Sequence, residues 1–167
     1  MTAPAEPKKP TAAQARRMRT AARLYAVQAL FQMEASGTPL EEVIEEFEAL
    51  RIGAEIDGIR LNDADRAHFR RLVSEAVADQ ARIDQLTHRA LVARWPIDRI
   101  DPTLRAIFRA AGAELFGSDT PPKVTINEYL ELAKAFYPDG KEAKFVNGVL
   151  DQMAREAQPE AFRKGAR

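Results

Sequence analysis

Apolar positions in this chain recur at helical spacing, and prolines and glycines cut them into segments. The clearest case lies near the C-terminus. Ile126, Tyr129, Leu130, Ala133, Phe136 and Tyr137 fall on one side of a 3.6-residue helix, with Asn127, Glu131 and Lys134 on the other. Thr125 and Glu128 have the spacing of a capping box, which predicts a helix start there. Pro138-Asp139-Gly140 breaks the helix. Phe145, Val146, Val149, Leu150 and Met153 then form a second stripe, with Asn147 and Asp151 outside it. Together these segments predict a helical hairpin.

The rest of the chain divides in the same way. Residues 1–11 carry three prolines and no apolar periodicity, and are expected to form a disordered basic tail. A long helix is predicted from about Ala12 to Ala35, ended by Ser36-Gly37. Thr38 as N-cap and Pro39 at the first helical position predict a second helix to about Leu50. Arg51–Leu61, with Gly53 and Gly58, reads as a loop. Asn62 or Asp63 caps a third long helix through about Leu86, and a further helical stretch ends near Trp95-Pro96. Asp101-Pro102 opens a helix over Thr103–Phe116, followed by a break from Gly117 to Pro122. Nothing reads as a strand of useful length, so the predicted class is all-α. Pro96 to Pro102 marks a boundary between helical halves at about 12–96 and 101–155, with a C-terminal tail over 156–167.

Composition narrows the chemistry. At 167 residues and 46% hydrophobic, the chain can bury one sizeable core. It has no cysteine, which removes disulfides and thiolate metal sites and fits a reducing, cytoplasmic compartment. No apolar run approaches membrane-spanning length, and no secretory signal is expected at the N-terminus. His68 and His88 are the only histidines, the glycines form no phosphate-binding pattern, and no serine sits in a nucleophile motif. No metal, cofactor or catalytic constellation is therefore expected, and the chain does not read as an enzyme.

Charge changes the picture more than its zero total suggests. Residues 1–30 hold six Lys and Arg against one acid, a net +5, whereas residues 31–65 hold ten acids against two arginines, a net −8. A neutral sum does not exclude a nucleic-acid partner; it argues against indiscriminate binding by the whole surface. Arg16, Arg19 and Arg23 share one helix face, with Arg17 beside them. That face overlaps the core stripe formed by Leu24, Val27, Leu30 and Phe31, so the helix start is expected to project beyond the core. Arginine suits phosphate through its bidentate fork. Phosphate contact and a plain solvated helix start both remain open. Met18, Ala22, Tyr25, Ala29 and Met33 make a second apolar stripe, so this helix is either central or faces a partner.

Three segments share a common resemblance. V-T-I-N-E-Y-L-E-L-A-K-A-F with K-F-V-N-G-V-L-D (124–136 and 144–151), R-T-A-A-R-L-Y-A-V-Q-A-L-F (19–31) and I-F-R-A-A-G-A-E-L (107–115) resemble, in order, signatures of the NusB family of bacterial antitermination factors. Ala113 departs from the large residue usual at its position. The resemblance implies a fold of two small helical bundles, about seven helices in all. It implies binding to a single-stranded RNA element of nascent ribosomal RNA leaders, jointly with the small-subunit ribosomal protein NusE. The complex would join RNA polymerase and suppress premature termination. Arg16, Arg17, Arg19 and Arg23 would meet phosphates, and Lys144 and Phe145 match the family's K-F pair beside the RNA. Phe145 either stacks on a base or packs in the core. Phe31 and Glu114 match positions that face the ribosomal protein. Two alternatives stand behind this reading: an accessory RNA-binding module like that of ribosomal-RNA cytosine methyltransferases, or a protein scaffold or homodimer without RNA.

Overall fold

Seven α-helices and one very short β-ribbon account for the regular structure of the computed structural model, which describes residues 3–5, 8–91 and 100–163. The predicted helix end at Trp95-Pro96 and parts of both tails lie outside the described residues. Helix α1 spans Ala12–Ser36. Its start is set by reciprocal bonds: the Gln14 amide N–H donates to the Thr11 hydroxyl at 3.1 Å, and Gln14 Oε1 accepts from the Thr11 amide at 2.8 Å. Its end is Gly37, at φ 72°, a conformation open to glycine without a Cβ penalty.

Helix α2 spans Leu40–Leu50 and begins one residue later than predicted. Pro39 takes the cap position without a side-chain cap, and the Thr38 hydroxyl pairs with Ser36 instead. The expected loop after it holds a two-residue ribbon, β1 (Glu55–Ile56) against β2 (Ile59–Arg60). Asp57 and Gly58 both have positive φ, the geometry that closes a two-residue hairpin. The long helix expected to reach Leu86 is two helices, α3 (Arg66–Ala78) and α4 (Gln80–Leu91). Asp65 caps the first, accepting from the His68 amide at 3.0 Å. Asp79, a poor helix former, sits at the break.

Helix α5 (Pro102–Gly117) starts where predicted, with Asp101 accepting from the Leu104 amide at 3.0 Å. Helix α6 (Pro122–Phe136) starts one turn earlier than predicted, because Pro121 and Pro122 preset the backbone for a first turn. Thr125 is therefore inside the helix, with its hydroxyl buried and unpartnered, and the expected Thr125–Glu128 capping box does not form. Helix α7 (Lys141–Ala157) follows the turn at Gly140, whose φ is 83°. A 3₁₀ turn at Pro159–Phe162 folds back onto it, so the expected C-terminal tail is partly structured.

Helix α5 is the centre. It packs against α1, α3, α4, α6 and α7. Ala106, Ile107, Phe108, Ala110, Ala111, Ala113 and Leu115 are all buried. Helix α4, which the proline spacing grouped with the N-terminal half, packs mainly on α5 and α7. Helix α1 is the second internal helix, touching α2, α3, α5 and α6. Residues of both apolar stripes are buried between Ala21 and Leu30, so that part of the helix is central.

Helix α4 approaches α5 closely at Gly112, where a Cβ would lie 2.5 Å from Ile83 Cγ2. Gly112→Ala gains about 1 kcal/mol of helix propensity but forces an overlap of the kind that costs about 1–3 kcal/mol. A net loss of about 1 kcal/mol is expected as a lowered urea midpoint at unchanged slope. An unchanged midpoint would show that Ile83 turns away freely.

Candidate nucleic-acid interface

The first turns of α1 reach beyond the core. Arg16 and Arg17 are exposed and Arg19 is half-buried. None of the three makes an ion pair or hydrogen bond among the described residues. Arg16 and Arg17 line an open cleft of about 800 Å³. Lys8 and Thr20 share that wall, Asn62, Asp63 and Glu128 add polar groups, and Met18, Leu24 and Leu132 add apolar ones. The cleft thus holds uncommitted cations on a rigid helix, with amide and carboxylate groups beside them.

Arg23 is placed differently. It is only 3% exposed and forms a fork with Glu114 of α5, which is fully buried. Nε donates to Oε1 at 2.9 Å and Nη2 to Oε2 at 2.8 Å. The Tyr129 hydroxyl of α6 donates to Glu114 Oε1 at 3.1 Å. His68 of α3 brings Nε2 to 3.4 Å from the same oxygen. Arg23 Nη1 lies 3.4 Å from Glu128 Oε1, and the Thr20 hydroxyl donates to Glu128 Oε2 at 3.0 Å. Burial raises the Glu114 carboxyl, but the close approach of the His68 ring and the Arg23 fork with its charge outweigh it, bringing it down to about 2. Burial lowers Arg23, but its bond to Glu114 and that charge raise it above its ordinary value. Burial beside Glu114 pushes Tyr129 well up, so it stays a donor.

These placements correct two expectations. Arg23 is committed inside the protein and offers no phosphate a free guanidinium. Glu114 lies in the core and presents no surface to a partner. The physical reason is mutual: each supplies the counter-charge that lets the other be buried. Helical spacing put Arg23 on the same face as Arg16 and Arg19, but the core begins between them. The i, i+3, i+4 pattern marks a face; it does not mark how far along that face the core extends.

The other candidates lie apart from the cleft. Lys144 is exposed on α7. Phe145 is half-buried, with its ring edge-on to Phe108 of α5 at 6.3 Å between centroids and 72° between planes. It takes part in core packing and stays partly exposed. Phe31 is 41% exposed and lines a second groove of about 430 Å³ with Phe136, Thr103 and Arg51. Phe136 was expected in the core stripe of its helix but is 36% exposed at that groove. Its position in the last turn of α6, past the end of the helix's buried contacts, explains the difference. No group of side chains among the described residues could hold a metal ion.

A helical fold built around one buried helix is shared with solved proteins. It superposes on a crystal structure of NusB from T. maritima with a TM-score of 0.69 at 32% identity, covering 86% of this chain and 96% of that one. It is similar to a crystal structure of antitermination factors NusB and NusE in complex with dsRNA, with a TM-score of 0.66 at 28% identity over 84% of this chain and 98% of that one. By sequence it is 50% identical over 137 residues to the transcription antitermination protein NusB of Brucella abortus (strain S19), covering 81% of this chain and 80% of that protein. The NusB family pattern matches residues 20–155. The chain belongs to the NusB family.

The buried pair makes a prediction about pH. A carboxyl whose folded pKa lies below its unfolded value of about 4.5 contributes its full stability above that value and loses it as pH falls toward about 2. The difference corresponds to roughly 3 kcal/mol. Glu114→Gln strands the Arg23 charge in the core, at a cost of about 3–5 kcal/mol near neutral pH. It should also flatten the fall in stability between pH 4.5 and 2, read by urea titration at several pH values.

Proposed function

We propose that this chain is an RNA-binding antitermination factor. It binds a single-stranded RNA element in the leader of nascent ribosomal RNA, together with the small-subunit ribosomal protein NusE. The assembly joins RNA polymerase in the cytoplasm and suppresses premature termination. No catalytic step is assigned to it. The observation that carries this reading is the set of uncommitted arginines, Arg16, Arg17 and Arg19, beside an open cleft. Cations inside ion pairs are already neutralised, as Arg105 and Arg109 are by Glu34 and Asp84. Free ones release counterions when a polyanion arrives. The kinship with a solved complex of NusB and NusE with dsRNA supports RNA and NusE as the partners.

In this proposal Arg16, Arg17 and Arg19 meet phosphates and set register without reading sequence. Lys144 adds charge from α7. Phe145, partly exposed and packed on Phe108, meets an unpaired base. Phe31 and Phe136 anchor the ribosomal protein in the apolar groove. Arg23 and Glu114 act from inside, by fixing α1 against α5. The acidic stretch of residues 34–65 weakens binding by the isolated chain, so affinity rises when the ribosomal protein is added.

The deciding experiment measures RNA affinity against salt, with and without the ribosomal protein, on single- and double-stranded RNA. Each phosphate contact on a single strand contributes about 0.7 to the slope of log affinity against log salt. Arg16→Ala with Arg17→Ala is expected to reduce that slope by about 1.4, similarly for every RNA sequence. An unchanged slope would remove the helix start from the RNA site.

A companion measurement addresses the groove. Phe31→Ala and Phe136→Ala are each expected to weaken binding of the ribosomal protein by about 1–2 kcal/mol, as truncated aromatic anchors do. The circular dichroism spectrum should stay helical, because both rings are partly exposed in the free chain. Unaltered heterodimer affinity in both variants would place the partner elsewhere.

A further inference from the structure

An acid in a basic cleft calls for an explanation. Glu128 of α6 lines the same cleft as Arg16 and Arg17, and its side chain is 26% exposed. A carboxylate there opposes phosphate, so electrostatic attraction to the RNA backbone does not account for it. Its orientation is fixed from below. Oε2 accepts from the Thr20 hydroxyl at 3.0 Å, and Oε1 lies 3.4 Å from Arg23 Nη1, whose guanidinium is itself held by buried Glu114. Each carboxylate oxygen has two lone-pair sites. One protein partner on each oxygen leaves acceptor capacity directed to the cleft. The group keeps acceptor capacity beyond those two partners, set in a fixed place beside the arginines of the cleft.

We infer that Glu128 is a base-reading residue, accepting hydrogen bonds from an unpaired base that presents N–H donors on its Watson–Crick edge, guanine above all. This inference rests on the RNA reading of the cleft. Guanine offers N1–H and the N2 amino group side by side, a spacing that matches the two oxygens of one carboxylate. Uracil has a single N–H flanked by carbonyl oxygens, which the carboxylate repels. Arg16 and Arg17 hold the strand by its phosphates, and Glu128 selects what lies between them. Thr20 and Arg23 are positioning residues for that carboxylate. The buried Arg23–Glu114 pair thereby reaches the RNA at one remove: it orients the acceptor that touches the base.

The test uses the full chain together with the ribosomal protein and three labelled single-stranded probes. These are an all-uridine 12-mer, the same strand with one central guanosine, and the same strand with inosine in its place. Inosine keeps N1–H and lacks the N2 amino group. The wild-type chain is expected to prefer the guanosine probe over the inosine probe by about tenfold, the scale of a good base contact. Glu128→Gln, which swaps one acceptor oxygen for a donor, is expected to bring the two affinities within about twofold. The salt slope should be unchanged, because no cation has been removed. Equal wild-type affinities for guanosine and inosine overturn the inference with no variant needed. A Glu128→Gln chain that keeps the full preference also overturns it, assigning the discrimination to the ribosomal protein. Failure of the wild type to bind any of the three probes removes the RNA reading itself, an outcome distinct from equal binding to all three.

Discussion

A guanidinium and a carboxylate buried against each other hold this fold in register. Arg23 and Glu114 come from α1 and α5, the two helices that touch most of the others. Neither charge is tolerable in the core alone, so the helices are constrained to the one relative placement in which the fork closes. Tyr129 and His68 bring α6 and α3 to the same carboxylate. Apolar contacts supply the driving force for burial but are tolerant of small slides. The charged fork is not tolerant, because a shift of one residue along either helix would leave both groups unpaired.

The surface depends on that core. The core of α1 ends at Ala21 on its N-terminal side, and the arginines before it form no ion pair among the described residues. At the other end, Glu34 is taken up by Arg105 and Arg109 of α5, and Arg109 also bonds Asp84 of α4 at 2.9 Å. That network neutralises the C-terminal part of α1 as thoroughly as the N-terminal part is left bare. The protein therefore uses the same residue type for opposite purposes: paired arginines join helices, and unpaired arginines stay available to a polyanion.

Much of this was legible from sequence. The all-α class, the breaks at Gly37 and Gly140 and the start of α5 at Asp101 followed from local chemistry that acts within a few residues. The failures share a cause. Asp79 ends one helix within a continuous apolar pattern because α4 must turn onto α5 and α7, a tertiary demand that the weak helix propensity of Asp79 permits but does not by itself announce. Thr125 has the spacing of a cap yet lies a turn inside α6, since the prolines before it start the helix first. Arg23 looked like its neighbours because periodicity records direction and not depth. Its partner Glu114 is 91 residues away. The clue available in the sequence was a lone acid in I-F-R-A-A-G-A-E-L, a stretch otherwise so apolar that Glu114 needs a cation.

Helix α1 also separates two charge populations in space. Arg16 stands in its second turn, and Gln32 near its far end bonds Glu46 of the acidic helix α2 at 2.9 Å. At 1.5 Å per residue those positions are about 24 Å apart. That is roughly three times the distance over which charges sense each other at physiological ionic strength, about 8 Å. A neutral molecule of this kind is an electrical rod. In dilute salt its two poles act together and turn it so that a nucleic acid meets the arginine end first. In physiological salt each pole is felt mainly at close range, and the acidic helix opposes a strand seated at the other end less than it does in dilute salt.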